Sequence, residues 1–354
     1  MRRVVPLAVA LFLLLSGCST PAAWVQTITS VTPSSSGTPN SVATLGNYEF
    51  VSVQGTGQIF TYNIAGGSQL LAAPPYATPC KDPSGMVLTT IAGNNVMAVV
   101  CYDTSTLLTL TVHSDGSLSA LGAASGLTMP YPGIALDGTN VLVPLFGQNL
   151  VANGAVAKVN IASPTQPVIT GTATLASPVS GGFVNPGYLA VAGGYVFVAA
   201  GSENAPLGTS STIQVVNEST MALLGTPLVV AHSPQQIALH GTVAYVTFFD
   251  TPQLESIDIS TPANLHPLEV ASLASSNSNC HAIPIIVRDN FAYIGCYSEG
   301  VIDQFDITNP SNMRLAQSIV GIDSPQRLDF AGNYLLVSGS ESGGRVYQIN
   351  TGAP

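Results

Sequence analysis

Seven hexamers of one grammar recur along the chain: GNYEFV at 46, NNVMAV at 94, GTNVLV at 138, GGYVFV at 193, GTVAYV at 241, DNFAYI at 289 and GNYLLV at 332. Their starts lie 43 to 55 residues apart. Each opens on turn-forming residues and runs into a β-branched and aromatic stretch, which reads as a tight turn feeding a strand. A short apolar strand precedes each one: SVATL, MVLTTI, GIAL, YLAV, QIAL, IPIIV and RLDF. Several are followed by a third strand ending in a turn, as in SIDISTPAN and QFDITNPSN, and then by a fourth, as in PLEVASL and PVITGTATL.

The unit is therefore four short antiparallel strands, A to D, with the hexamer supplying strand B. One such sheet cannot bury both faces, so units of this size pack radially around an axis. Seven units predict an all-β, seven-bladed β-propeller. Composition agrees. The chain is 46% hydrophobic and only 7% charged, and its apolar share is carried by Ala and Val in a Gly-, Ser- and Thr-rich background that favours strands and turns. A transmembrane β-barrel is disfavoured by the very short turns on a regular four-strand cycle.

The last unit has A, B and C, at Gln326–Phe330, Asn333–Ser338 and Arg345–Ile349, but no D. Near the other end, TPAAWVQTITSV has no A, B or C before it. Trp24–Val31 is the expected outer strand of the last blade, closing the ring without an open sheet edge. The Ser-, Gly- and Pro-containing stretch from Pro33 to Asn40 reads as a loose connection.

The N-terminus reads as a targeting segment. Arg2 and Arg3 precede an apolar stretch, Val4–Leu15, too short to span a bilayer comfortably. LSGC, Leu15–Cys18, then resembles a bacterial lipobox, which implies cleavage before Cys18 and acylation of its thiol. Ser19 resembles the residue that sends lipoproteins to an outer membrane in Gram-negative cells. The expected organisation is a signal peptide at 1–17, a lipidated tether at 18–23 and one propeller domain at 24–354. Losing Arg2 and Arg3 takes the formal charge from −10 to −12. So acidic a surface argues against nucleic acid as a partner.

DISTP at 258 and DITNP at 306, with AYV and AYI in strand B, resemble LVIVD-type and YVTN-type propeller repeats. The likeness extends over about residues 24–351 and implies fold, not activity. HSDGSLSALG at 113–122 with YPGIALDG at 131–138 resembles repeats of the seven-bladed lactonase family, which includes 6-phosphogluconolactonase-like proteins. It transfers no catalytic residue. The G-x-S-x-G, P-loop and H-E-x-x-H patterns are absent.

The blade frame places the four remaining cysteines. Cys101 and Cys296 end strand B of their blades, and Cys80 and Cys280 lie just before strand A of the same blades. A and B are antiparallel neighbours, so Cys80–Cys101 and Cys280–Cys296 are the expected disulfides, in keeping with an exported protein.

The frame also separates two faces. D–A and B–C loops share one, A–B and C–D turns the other. The long insertions, D–A at 73–85 and 274–281 and B–C at 146–155 and 201–211, all fall on the first, termed the wide face for its long loops. It also carries Asp103, Glu203, Asp250, Glu299 and Glu341, each nine or ten residues after the start of its hexamer. Gln235, Gln236, Gln326 and Arg327, which follow SPQ turns, are expected at the channel mouth. No cofactor is expected from motifs. A partial ring of carboxylates could still take a divalent cation, and His232 and His281 are a further pair of metal candidates. These features point to a membrane-anchored binding or scaffold module for a protein or polar ligand outside the cytoplasm. The alternative is a metal-assisted hydrolase of the lactonase type.

Overall fold

The computed structural model describes residues 28–33, 37–67, 69–147, 152–202, 211–274, 280–340 and 344–351. They form seven four-stranded antiparallel sheets in the order anticipated from the hexamers, with the A–B–C–D cycle intact in each. We number the blades I to VII from strand A at Thr38–Leu45. The seventh sheet comprises Pro325–Ala331, Tyr334–Gly339, Val346–Asn350 and, outermost, Ile28–Val31. Ile28 pairs with Ile349 and Val31 with Val346, antiparallel. The missing outer strand is thus supplied from the N-terminal side. The 24–27 part of the expected strand lies outside the described residues, as do Cys18 and the residues before it.

Every A–B turn is two residues long. The first turn residue has positive φ in all seven: Gly46, Ala92, Gly138, Gly193, Gly241, Asp289 and Gly332. Turns of this hand match the twist of the strands they join, which is why glycine opens so many of the hexamers.

The apolar faces pair off between blades. Seven buried clusters occur, one for each pair of neighbours around the ring. Phe50 and Ile59 of blade I meet Met97 and Leu110 of blade II, for example, and Leu336 of blade VII meets Val51 of blade I. Each blade is covered only by its neighbours, so closure of the ring is a condition of burial.

Six inner strands carry a proline at the wide-face end, Pro39, Pro83, Pro186, Pro234, Pro284 and Pro325, and in blade III Pro132 shortly precedes the strand Ala135–Asp137. An inner strand is a sheet edge, where the missing N–H costs no ladder bond. In six blades the A–B register shifts at this end of the strand. Such bulges bend the strand and re-aim its side chains. Several glycines beside them let inner strands touch. A Cβ at Gly85 would lie 2.1 Å from the Pro132 carbonyl oxygen, and one at Gly133 would lie 2.2 Å from that of Gly187. Leu189 N donates directly to Gly133 O at 3.0 Å across blades III and IV.

Two expectations need correction. The stretch 73–85 is not one long loop, because strand D of blade I runs Leu70–Ala77 and includes Pro74 and Pro75. An outermost strand tolerates both prolines. Nor is Pro33–Asn40 wholly a connection, because strand A of blade I begins at Thr38.

Candidate functional site

The wide face opens into a cavity of about 270 Å³. Its walls come from loops and inner strands of different blades: Tyr102 from II, Tyr131 and Phe146 from III, Tyr188 from IV, with Gln54 of I and Gln326 of VII. The Tyr131 and Phe146 rings stack with centroids 4.4 Å apart, and Tyr188 meets Tyr131 edge-on at 6.0 Å. The same two stacked rings wall a smaller adjoining cavity of about 80 Å³ that includes Gln235. Below lies a third cavity, about 390 Å³, among the inner strands of blades I, II, III and VII. Apolar side chains such as Met86, Ile134 and Leu136 take part in its lining, but the surface it presents is more polar than apolar, with Arg327 and Asp329 as its charged groups.

Arg327 crosses the ring. Its Nη2 donates to Pro132 O of blade III at 2.5 Å, and its Cζ lies 4.0 Å from the Tyr188 ring centroid of blade IV. Burial pulls its pKa down. Pro132 borders both the mouth and the lower cavity, so the guanidinium sits where they meet. Gln326 lines the mouth and donates from Nε2 to Ser340 Oγ at 3.2 Å. Gln236 is buried, accepting from Ile285 N at 3.1 Å, and ties blade V to blade VI rather than facing the mouth.

The carboxylates do different work from one another. Asp103 accepts from Lys81 N at 3.0 Å and Asp82 N at 3.2 Å. Asp250 accepts from Ser233 N at 2.8 Å and lies 3.2 Å from His232 Nδ1. In both blades a B–C carboxylate satisfies the amides of the D–A loop beside it, which is a latch. Glu299 lines a separate cleft of about 230 Å³ with Tyr297 and Asp323. Its charge adds to burial in raising the pKa of Asp303. Glu203 and Glu341 lie outside the described residues. His281 stacks on Phe249 at 4.1 Å and places Nδ1 2.5 Å from Phe249 O, so the two histidines approach the 249–250 loop separately. Among the described residues no three His, Cys, Asp or Glu side chains gather in a way that could hold a metal ion.

Cys80 pairs with Cys101 and Cys280 with Cys296, with Cα atoms 5.9 and 5.2 Å apart. Each bridge ties the wide-face end of a B strand to the loop that enters its own A strand. Both are packed into inter-blade clusters, I/II and V/VI respectively.

A buried acidic pair lies between blades VII and I. Glu49 is fully buried, accepts from Gln69 Nε2 at 2.8 Å, and has no partner for Oε1. Burial, with Asp329 nearby, pushes its pKa up to about 8. Burial pushes Asp329 up to about 6.

The comparisons with known proteins define the class as a β-propeller. Residues 281–320, which are blade VI with the one residue before it, match the LVIVD repeat. No curated protein matches the chain. Among solved structures, virginiamycin B lyase of Staphylococcus aureus is similar over 92% of this chain and 99% of its own, at 12% identity and TM-score 0.66. The periplasmic gluconolactonase PpgL of Pseudomonas aeruginosa aligns over 79% and 84%, at 15% identity and TM-score 0.64. BamB of Moraxella catarrhalis aligns over 92% and 100%, at 10% identity and TM-score 0.56. At such identities the likeness is one of fold.

Proposed function

We propose that the chain is a propeller anchored outside the cytoplasm through an acylated Cys18, and that it binds a polar ligand or a protein segment on its wide face. The observation that carries this reading is the aromatic mouth. Concave sites with flat apolar walls and a few placed polar groups are where propellers and other rigid scaffolds hold ligands. Rings that stack face to face and edge to face cost little entropy to order further. The amides of Gln54 and Gln326 supply donors and acceptors without a fixed charge. The extracytoplasmic location is supported by the LSGC motif, by two disulfides of the kind that persist in oxidising compartments, and by the periplasmic origin of one similar fold.

Two measurements test it. Replacing Cys18→Ser should move the protein from the membrane fraction to the soluble one. Persistence in the membrane would remove the anchor from the account. Replacing Tyr131→Ala should weaken binding of the envelope partner at least tenfold with an unchanged far-ultraviolet spectrum. Undiminished binding would move the site elsewhere.

A further inference from the structure

Arg327 is an expensive residue where it stands. A guanidinium has five N–H donors and no acceptor. The structure gives it one carbonyl, Pro132 O, and one ring face, Tyr188. Its Nε is buried without a partner. No carboxylate of the described residues forms an ion pair with it. This is not for want of acids, since the sequence holds 18 acidic residues against eight basic ones. Asp329, two residues along the same strand, is engaged instead by Thr44 and by Phe330 N. A cation taken out of water without a counter-charge costs several kcal/mol, so the fold carries a standing demand for an anion at the ring axis.

We propose that Arg327 is an anion receptor in the central well and that the ligand of the wide face is a small carboxylate with a flat, apolar body. This inference rests on the reading of the wide face as the binding face. The planar Nη donors of the guanidinium match the two oxygens of a carboxylate. The ligand body then lies against the rings of Tyr131, Phe146 and Tyr188 in the adjoining mouth, which shares Pro132 with the cavity that Arg327 lines. Tyr188 contributes twice, walling the mouth and holding the guanidinium by cation–π attraction. The competing role for Arg327 is a mechanical pin that staples blade VII to blades III and IV. The two roles differ in what happens when the charge is removed. A pin is missed at once, whereas an unpaired receptor is not missed until ligand arrives.

The test uses the purified full chain in detergent, with benzoate and its neutral counterpart benzamide as probes, titrated calorimetrically alongside thermal unfolding without ligand. The unsubstituted protein should bind benzoate saturably and at least tenfold tighter than benzamide. R327Q should lose that preference while unfolding at the same temperature or higher, and R327K should retain part of it. Y131A should weaken both probes. A fall of about 5 °C or more in the unfolding temperature of R327Q, with R327K restoring it, would make Arg327 a pin and overturn the proposal. So would the absence of saturable benzoate binding at millimolar concentration. Equal binding of the two probes, lost in Y131A, would overturn charge recognition and leave the wide-face reading standing. Benzoate binding that needs Arg327 but ignores Y131A would keep the anion site and overturn the aromatic mouth as its setting.

Discussion

Glu49 shows how far a single residue can set the conditions under which the ring is stable. Its carboxyl is held neutral in the fold by burial, with a folded pKa of about 8 against an ordinary value of 4.5. A raised carboxyl pKa means that the folded state binds the proton more tightly than the unfolded chain does. The protein is therefore at its best below the unfolded value and loses stability as pH rises towards the folded value. Asp329 acts in the same direction over a lower window, from its ordinary 3.8 to about 6. We expect unfolding temperatures to fall between about pH 5 and pH 8, and Glu49→Gln to remove most of the upper part of that slope. The variant should match the parent near pH 5 and exceed it at pH 8 by a few kcal/mol. Parallel pH profiles would show that Glu49 is charged in the fold. Asp250 carries a similar lesson. Because it latches Ser233 N, replacing it changes the loop as well as the charge. An Asp250→Asn variant should lower stability by about 1 kcal/mol, and any loss of binding it shows must be compared with that of Glu299→Gln, which is the cleaner change.

At the scale of single elements, the cysteines and the closing strand give the sharpest expectations. Each bridge closes a loop, with sequence separations of 21 and 16 residues, for which chain entropy suggests about 3 kcal/mol. Replacing either pair with serines should lower the unfolding temperature without changing the strand content. The strand Ile28–Val31 covers the outer edge of blade VII and places Val31 against the VII/I cluster. A chain beginning at Pro33 should lose much of its thermal stability, and one that keeps Gln26 onward should not. Equal stability of the two would mean that the ring closes without this strand. Elements of this kind were legible in the sequence because their signals are local. The turn glycine, the two-residue spacing and the β-branched run sit side by side in each hexamer. The misread elements share a cause too. Pro74, Pro75 and Pro39 read as loop markers, yet each lies on a sheet edge where proline is tolerated.

Over the whole molecule, the site is a property of the ring and not of any segment. Tyr131 and Phe146 belong to one blade, Tyr188 to the next, and Arg327 to the seventh. Only closure around an axis brings them together, so no spacing along the chain announces them. Gly133 was visible at the head of GIAL, but nothing along the chain shows that its backbone touches that of Tyr188 in the next blade. The carboxylate pattern was visible as well, but two of its members, Asp103 and Asp250, are satisfied by backbone amides. The same ring geometry separates the wide face, with its cavities and its connections of up to nine residues, from a face made of two-residue A–B turns and C–D turns of four to seven residues. That separation is the central claim, and one comparison tests it most directly. Binding of the ligand proposed for the wide face to the full chain is measured for a Tyr131→Ala, Phe146→Ala double variant and for a His240→Ala, Thr242→Ala double variant at an exposed A–B turn. The account predicts at least a tenfold loss in the first and less than a twofold change in the second. A loss confined to the second would place the binding surface on the opposite face and contradict it.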